Sequence, residues 1–167
     1  LRGLGGADVM MGGGGEDLLE GGTGDDLYFV DSGGDGVLEQ LDGGVDSVFA
    51  SLPAYELPAH VENLSFTISI DTQGQLTGPI HFDGFGNAGP NRITGAFGHD
   101  RFLGGAGNDT LLGEAGDDVL IGGLGADWLE GGAGNDTLVQ EDTYIGATGN
   151  FVDTLVGGSG DDTYYAG

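Results

Sequence analysis

From Gly86 to Val139 one nine-residue unit repeats six times without a gap. Each unit opens on a glycine (Gly86, Gly95, Gly104, Gly113, Gly122, Gly131) and carries another in fourth place (Gly89, Gly98, Gly107, Gly116, Gly125, Gly134). Asn91, Asp100, Asp109, Asp118, Asp127 and Asp136 fill the sixth position, while Ile93, Phe102, Leu111, Leu120, Leu129 and Leu138 fill the eighth. Four constraints met in six successive units define a structural repeat, and any fold for this chain must accommodate it.

The residue types dictate a local geometry. Glycine reaches positive φ without strain and lets the main chain approach a ligand closely, so the first six residues of a unit are expected to turn. The last three are expected to form a short strand whose eighth side chain points inward. Two such strands, facing each other and joined by two turns, make one coil of 18 residues. Stacked coils then give an all-β molecule with two parallel sheets around an aliphatic core.

In that stack, sixth-position residues 18 apart in sequence lie above one another. Asp100, Asp118 and Asp136 form one column, with Asn91, Asp109 and Asp127 on the opposite edge. Carboxylates roughly 5 Å apart along a sheet repel unless a cation sits between them. A hard cation taking about six to eight oxygens, from the carboxylates and from glycine-turn carbonyls, removes the repulsion and satisfies the backbone. Cysteine is absent, so no thiolate is available, and oxygen-only donors favour Ca2+ over zinc or copper. Magnesium is less suited, because it demands tight octahedral geometry and keeps its waters.

Composition points the same way. The chain carries 28 acidic residues against three arginines (Arg2, Arg92, Arg101) and no lysine, for a net charge of -25. Such a molecule repels itself when compact unless cations neutralise it, and it lacks the basic groups that nucleic acid requires. No apolar run approaches the ~18 residues of a membrane span. The 39 glycines, about three times the usual share, belong to the periodicity rather than to low complexity.

Four segments follow from the pattern. Residues 1–38 form a first array: Gly3–Met11 with Asp8, Gly12–Glu20 with Asp17, Gly21–Phe29 with Asp26, and Val30–Leu38, which keeps Asp35 but has lost its opening glycine. Residues 39–85 lack the nonapeptide but alternate apolar and polar from Val61 to Ile70, and Asp46-Ser47-Val48-Phe49 preserves the ending of a unit. This stretch is expected to be irregular β structure continuing the stack, with a flexible linker as the alternative. Residues 86–139 form the second array, and residues 140–167 hold an interruption, the fragment Asp153-Thr154-Leu155-Val156 and a final unit, Gly157–Tyr165, with Asp162 sixth. Leu1-Arg2 read as the end of a preceding unit, so the chain is expected to be a piece of a longer array.

Units such as GGAGNDTLL (Gly104–Leu112) and GGLGADWLE (Gly122–Glu130) resemble the RTX, or repeats-in-toxin, hemolysin-type nonapeptide of secreted bacterial proteins. The resemblance implies a right-handed parallel β-roll in which each Ca2+ lies between units n and n+2. It further implies that unit n gives the carbonyls of positions two and four plus its acid, and unit n+2 the carbonyls of positions one and three plus its acid. Carried onto this chain, one ion falls among Ala96, Gly98, Asp100, Gly113, Ala115 and Asp118, and the next on that edge among Glu114, Gly116, Asp118, Gly131, Ala133 and Asp136. Across the roll a third takes Gly105, Gly107, Asp109, Gly122, Leu124 and Asp127. The first array offers Leu4, Gly6, Asp8, Gly21, Thr23 and Asp26, then Gly13, Gly15, Asp17, Val30, Ser32 and Asp35. Asn91 with Asp109 marks a weaker entrance, and Asp162, without a partner 18 residues away, is expected to have an incomplete site. Five or six Ca2+ ions are expected in all.

The expected function is a non-catalytic calcium-binding module of a larger secreted or cell-surface protein, folding outside the cell after type I secretion, as the resemblance implies. A module that binds extracellular polysaccharide is the alternative. No catalytic constellation is visible: His60, His81 and His99 lack triad or metal spacing, and Ser159 is the third residue of a repeat rather than a nucleophile elbow. Trp128 is expected to point outward. Leu103, Val119, Ile121 and Val139 fall on the outer face of one sheet, where another domain of the parent chain or the irregular stretch is expected to cover them.

Overall fold

A computed structural model describes residues 1–69, 72–140 and 152–166. Among these residues there is no helix, and all sheet pairing is parallel. One eight-stranded sheet contains Val9–Met11, Leu27–Val30, Ser47–Ala50, Asn63–Phe66, Arg92–Thr94, Thr110–Ala115, Trp128–Ala133 and Thr154–Ser159. The other strands form a three-stranded sheet (Arg2–Gly5, Leu18–Thr23, Gly36–Leu38) and a six-stranded one. The latter holds Ala54–Glu56, Asp83–Phe85, Arg101–Ala106, Val119–Leu124, Thr137–Val139 and Thr163–Tyr165. Sequence-consecutive strands alternate between the sheets, so each circuit of the chain adds one strand to each side, and the stack is a β-solenoid of about eight turns.

Period-two alternation explains the core. The eighth residue of each unit points inward, and Ile93, Phe102, Leu111, Leu120, Leu129 and Leu138 are all fully buried. They join one cluster with Met10, Leu19 and Tyr28 from the first array. Register partners in the second array are unit equivalents, such as Leu111 with Leu129 and Phe102 with Leu120.

The irregular stretch supplies strands to the same sheets. Val48 pairs with Tyr28 on one side and Leu64 on the other, and Leu64 pairs with Ile93. The alternation from Val61 to Ile70 yields a strand only at Asn63–Phe66, with Leu64 and Phe66 buried. A coil crosses its sheet in a few residues and must then turn, which limits the strand whatever the alternation beyond it; Ile70 lies outside the described residues. Here the core turns aromatic: the Phe66 ring stacks on Phe82 at 4.7 Å and on Phe102 at 5.8 Å. Gly84 takes the inward position opposite Phe102, and a Cβ there would meet that ring at 2.8 Å and Phe66 at 2.9 Å.

On the outer face Phe85, Leu103, Ile121, Val139 and Tyr165 are successive register partners. The irregular stretch extends this sheet at its end through Ala54–Glu56 and Asp83–Phe85. Trp128 points outward as expected, 43% exposed, with its indole N–H donating to Glu130 at 3.3 Å.

Candidate metal centres

The sixth residue of each unit ends the turn and precedes the strand, so stacking brings these side chains against the backbone of the adjacent coil. The Asp100 N–H donates to Asp118 Oδ1 at 2.7 Å, and the Asp118 N–H to Asp136 Oδ1 at 2.9 Å. Across the roll, Asn91 donates to Asp109 Oδ1 at 2.7 Å and Asp109 to Asp127 Oδ1 at 2.8 Å. In the first array Asp8 donates to Asp26 and Asp17 to Asp35 in the same way. One carboxylate oxygen of each acid therefore builds the stack. The second oxygens of Asp8, Asp26, Asp46, Asp109, Asp118 and Asp136 are buried without a hydrogen-bond partner.

Those of Asp8, Asp109, Asp118 and Asp136 face slots lined by backbone carbonyls. Between Gly113–Ile121 and Gly131–Val139, a Cβ on Gly113 would strike Asp118 Oδ2 and lie 2.6 Å from the Gly131 carbonyl. The Glu114 carbonyl faces Gly132 and the Gly116 carbonyl faces Gly134, each too close for a side chain. The Ala133 carbonyl accepts the Gly116 N–H at 2.7 Å. Glu114, Gly116, Asp118, Gly131 and Ala133 thus border one slot, with Asp136 on its far wall. Gly105, Gly107, Asp109, Gly122 and Leu124, and likewise Leu4, Gly6, Asp8, Gly21 and Thr23, are brought together in the same manner.

Second-position backbone distinguishes the slots. Gly22, Gly105, Gly123, Gly132 and Gly158 have φ of 100–111°, and Leu4 (81°) and Glu114 (75°) adopt the same hand despite their side chains. Ala96 does not, and its N–H turns to Asp100 Oδ2 at 3.4 Å; the slot still has Gly98, Gly113 and Ala115 on its walls. Asn87 likewise donates its N–H to Asn91 Oδ1, while the Asn91 amide donates to Val61, Glu62 and Asn87. Asn91 is therefore held by protein groups on both its amide atoms.

Two expectations change. In the Gly13, Gly15, Asp17, Val30, Ser32, Asp35 set, the Val30 carbonyl accepts the Ser51 N–H at 3.0 Å. Asp35 Oδ2 accepts from Asp31 and Ser32, closing its own turn. Without an opening glycine, this turn folds on itself instead of lining a slot. Conversely, Asp162 is not isolated: the Asp136 N–H donates to its Oδ1 at 3.0 Å across 26 residues. The interruption adds residues to one coil without moving its strand, so Gly132, Gly134, Asp136, Ser159 and Asp162 come together.

Acids outside the 18-residue spacing also continue the columns. Asp26 donates to Asp46 across 20 residues, Asp46 to Glu62 across 16, and Asp127 to Asp153 across 26. The acid-x-apolar endings at Asp46-Ser47-Val48 and Asp153-Thr154-Leu155 were the available signal.

Burial raises the pKa of Asp109 and Asp118 to about 7 and of Asp46 to about 6; donated backbone N–H bonds only partly counter it, and neighbouring acids add to it. Buried carboxylates with a free oxygen are costly to keep ionised unless a cation meets them. The donor set fits one: uncharged carbonyls and carboxylates, all oxygen, in slots where a side chain has no room.

A parallel β-solenoid with such slots at successive turns defines a repeat protein of the metal-binding kind. The RTX calcium-binding nonapeptide repeat matches in four copies, at residues 2–37, 85–111, 103–138 and 141–167, and the chain belongs to that family. RTX repeats bind Ca2+ and serve as a structural module, typically in secreted bacterial proteins. No curated protein matches the chain.

Proposed function

We propose that this chain is a non-catalytic calcium-binding β-roll module of a larger secreted bacterial protein, and that it folds as Ca2+ binds outside the cell. The observation that carries the reading is the alignment of unpartnered, buried Oδ2 atoms with glycine-turn carbonyls at Asp8, Asp109, Asp118 and Asp136. Ions would lie between Asp8 and Asp26, Asp100 and Asp118, Asp109 and Asp127, Asp118 and Asp136, and Asp136 and Asp162. Asp118 and Asp136 would each serve two of them.

Linkage sets the scale. An independent site at 100 times its dissociation constant adds about 2.7 kcal/mol, so two sites approach the lower end of a domain's usual stability, about 5 kcal/mol. Several sites decide whether a chain of net charge -25 folds at all. Low cytosolic calcium would keep it unfolded for export, and extracellular calcium would close it. Other domains of the parent protein are its expected partners, with the apolar ladder from Phe85 to Tyr165 as the surface on offer.

Circular dichroism of the chain in excess chelator, followed by titration with Ca2+ and separately Mg2+, tests the reading. β signal should appear with Ca2+ and lag far behind with Mg2+. Full β signal in chelator would rule out calcium-driven folding.

A further inference from the structure

Where the first array meets the irregular stretch, Asp26, Glu39 and Asp46 place carboxylate oxygens within 4.8 Å of one another. All three side chains are buried, at 2%, 7% and 0% exposure, and Oδ2 of Asp26 and of Asp46 has no hydrogen-bond partner. Glu39 and Asp46 fall between the stretches matched by the repeat family, which break off at residue 37 and resume at residue 85.

The regular slots explain what Glu39 does here. Beside the first glycine of a regular unit lie that unit's Oδ2 and the first-position carbonyl of the next coil. Gly95 faces the Gly113 carbonyl, Gly104 that of Gly122, and Gly113 that of Gly131, at 2.5–2.6 Å from a built Cβ. Beside Gly21 the corresponding neighbours are Asp26 Oδ2 and Glu39 Oε1, together with the Tyr28 hydroxyl. The rest of the slot is retained. The Gly22 carbonyl faces Gly43, the Gly24 carbonyl faces Gly44, and the Gly43 carbonyl accepts the Gly24 N–H at 2.6 Å.

We propose that Asp26, Glu39 and Asp46 form a three-carboxylate cation site, in which the Glu39 side chain replaces the backbone carbonyl that a regular coil supplies from its first position. The proposal rests on the calcium reading of the regular slots and changes their chemistry at one place. Tyr28, which holds an inward position where most units have an aliphatic residue, donates its hydroxyl to Glu39 Oε1 and fixes that carboxylate toward the slot. Glu39 Oε2 accepts the Gln40 N–H at 3.1 Å. A hydroxyl placed behind a ligand in this way orients it without itself touching the ion. Three negative charges exceed the charge of Ca2+ and match a trivalent ion, so the site should fill first with a lanthanide.

The test uses the full chain. Calcium affinities are measured by competition with a chromophoric chelator for the unmodified chain and for Glu39→Gln, which keeps an acceptor for Tyr28 but removes the charge. One site should weaken on the order of tenfold or more, with the others unchanged; unchanged affinities throughout would overturn the proposal. Terbium luminescence excited through tyrosine, in a Trp128→Phe chain, gives a second reading that does not depend on Glu39→Gln folding. The first equivalent of Tb3+ should give emission that Tyr28→Phe abolishes, and emission indifferent to Tyr28→Phe would overturn it. If the unmodified chain bound no calcium at any site, the broader calcium reading would fall as well, whereas normal binding with no effect at Glu39 would remove this inference alone.

Discussion

Asp118 divides its two carboxylate oxygens between two tasks: Oδ1 accepts the Asp100 N–H at 2.7 Å and holds adjacent coils in register, while Oδ2 stays unpartnered in the slot. This explains why an acid recurs at the sixth position. It also explains why Asn91, whose amide is spent on Val61, Glu62 and Asn87, marks a turn that closes on protein groups. Second-position backbone is the other residue-scale control. Glu114 adopts φ of 75° to aim its carbonyl at Gly132, in a region that costs an L-residue about 1–2 kcal/mol. Its side chain is exposed. Replacing Glu114 with glycine should therefore stabilise the calcium-loaded roll by about 1 kcal/mol after glycine's greater chain entropy is counted, read as a raised denaturant midpoint at unchanged slope. A lowered midpoint would mean that the carboxylate matters more than the backbone.

At the scale of the coil, the sequence shows the repeat, the inward residue and the acid columns wherever the spacing is 18, because each depends only on local periodicity. It hides what depends on coil length. Spacings of 20 at Asp26–Asp46, 16 at Asp46–Glu62, 29 at Glu62–Asn91 and 26 at Asp136–Asp162 depart from 18 in both directions, yet the strands that follow these residues stay paired in register. A fixed period therefore conceals Asp46 and Asp153 and makes Asp162 look solitary. At Val30 and Asp35 the phase persists in sequence while the turn closes on itself. The inward column packs adjacent coils into one core. Leu120 is fully buried and pairs with Phe102 and Leu138. Leu120→Ala should cost about 2–5 kcal/mol, measured by unfolding in saturating calcium. A loss well below that range would show that the column tolerates a void.

Across the whole molecule, protons and calcium compete for the same oxygens. Asp109 and Asp118 have folded-state pKa values raised to about 7, and Asp46 to about 6, mainly by burial, against an ordinary 3.8. A carboxylate that binds its proton more tightly when folded stabilises the metal-free roll below about pH 4, and that contribution is lost as pH rises through about 7. Calcium requires the ionised form, so binding near pH 6 should release protons and the apparent affinity should climb with pH until about 7 and then level off. Calorimetry in buffers of different ionisation enthalpy reads this directly; an affinity flat from pH 5 to 8 would mean that the slots' acids are already ionised without metal. Each proposed ion lies between adjacent coils, among the acids and the glycine-turn carbonyls of both. A crystal structure of the calcium-loaded chain, with anomalous scattering from the ions, tests this placement most directly. Peaks should appear between Asp8 and Asp26, between Asp109 and Asp127, and on both sides of Asp118, within about 2.3–2.6 Å of the slot oxygens. Slots filled only by water, with calcium confined to exposed acids, would contradict that placement.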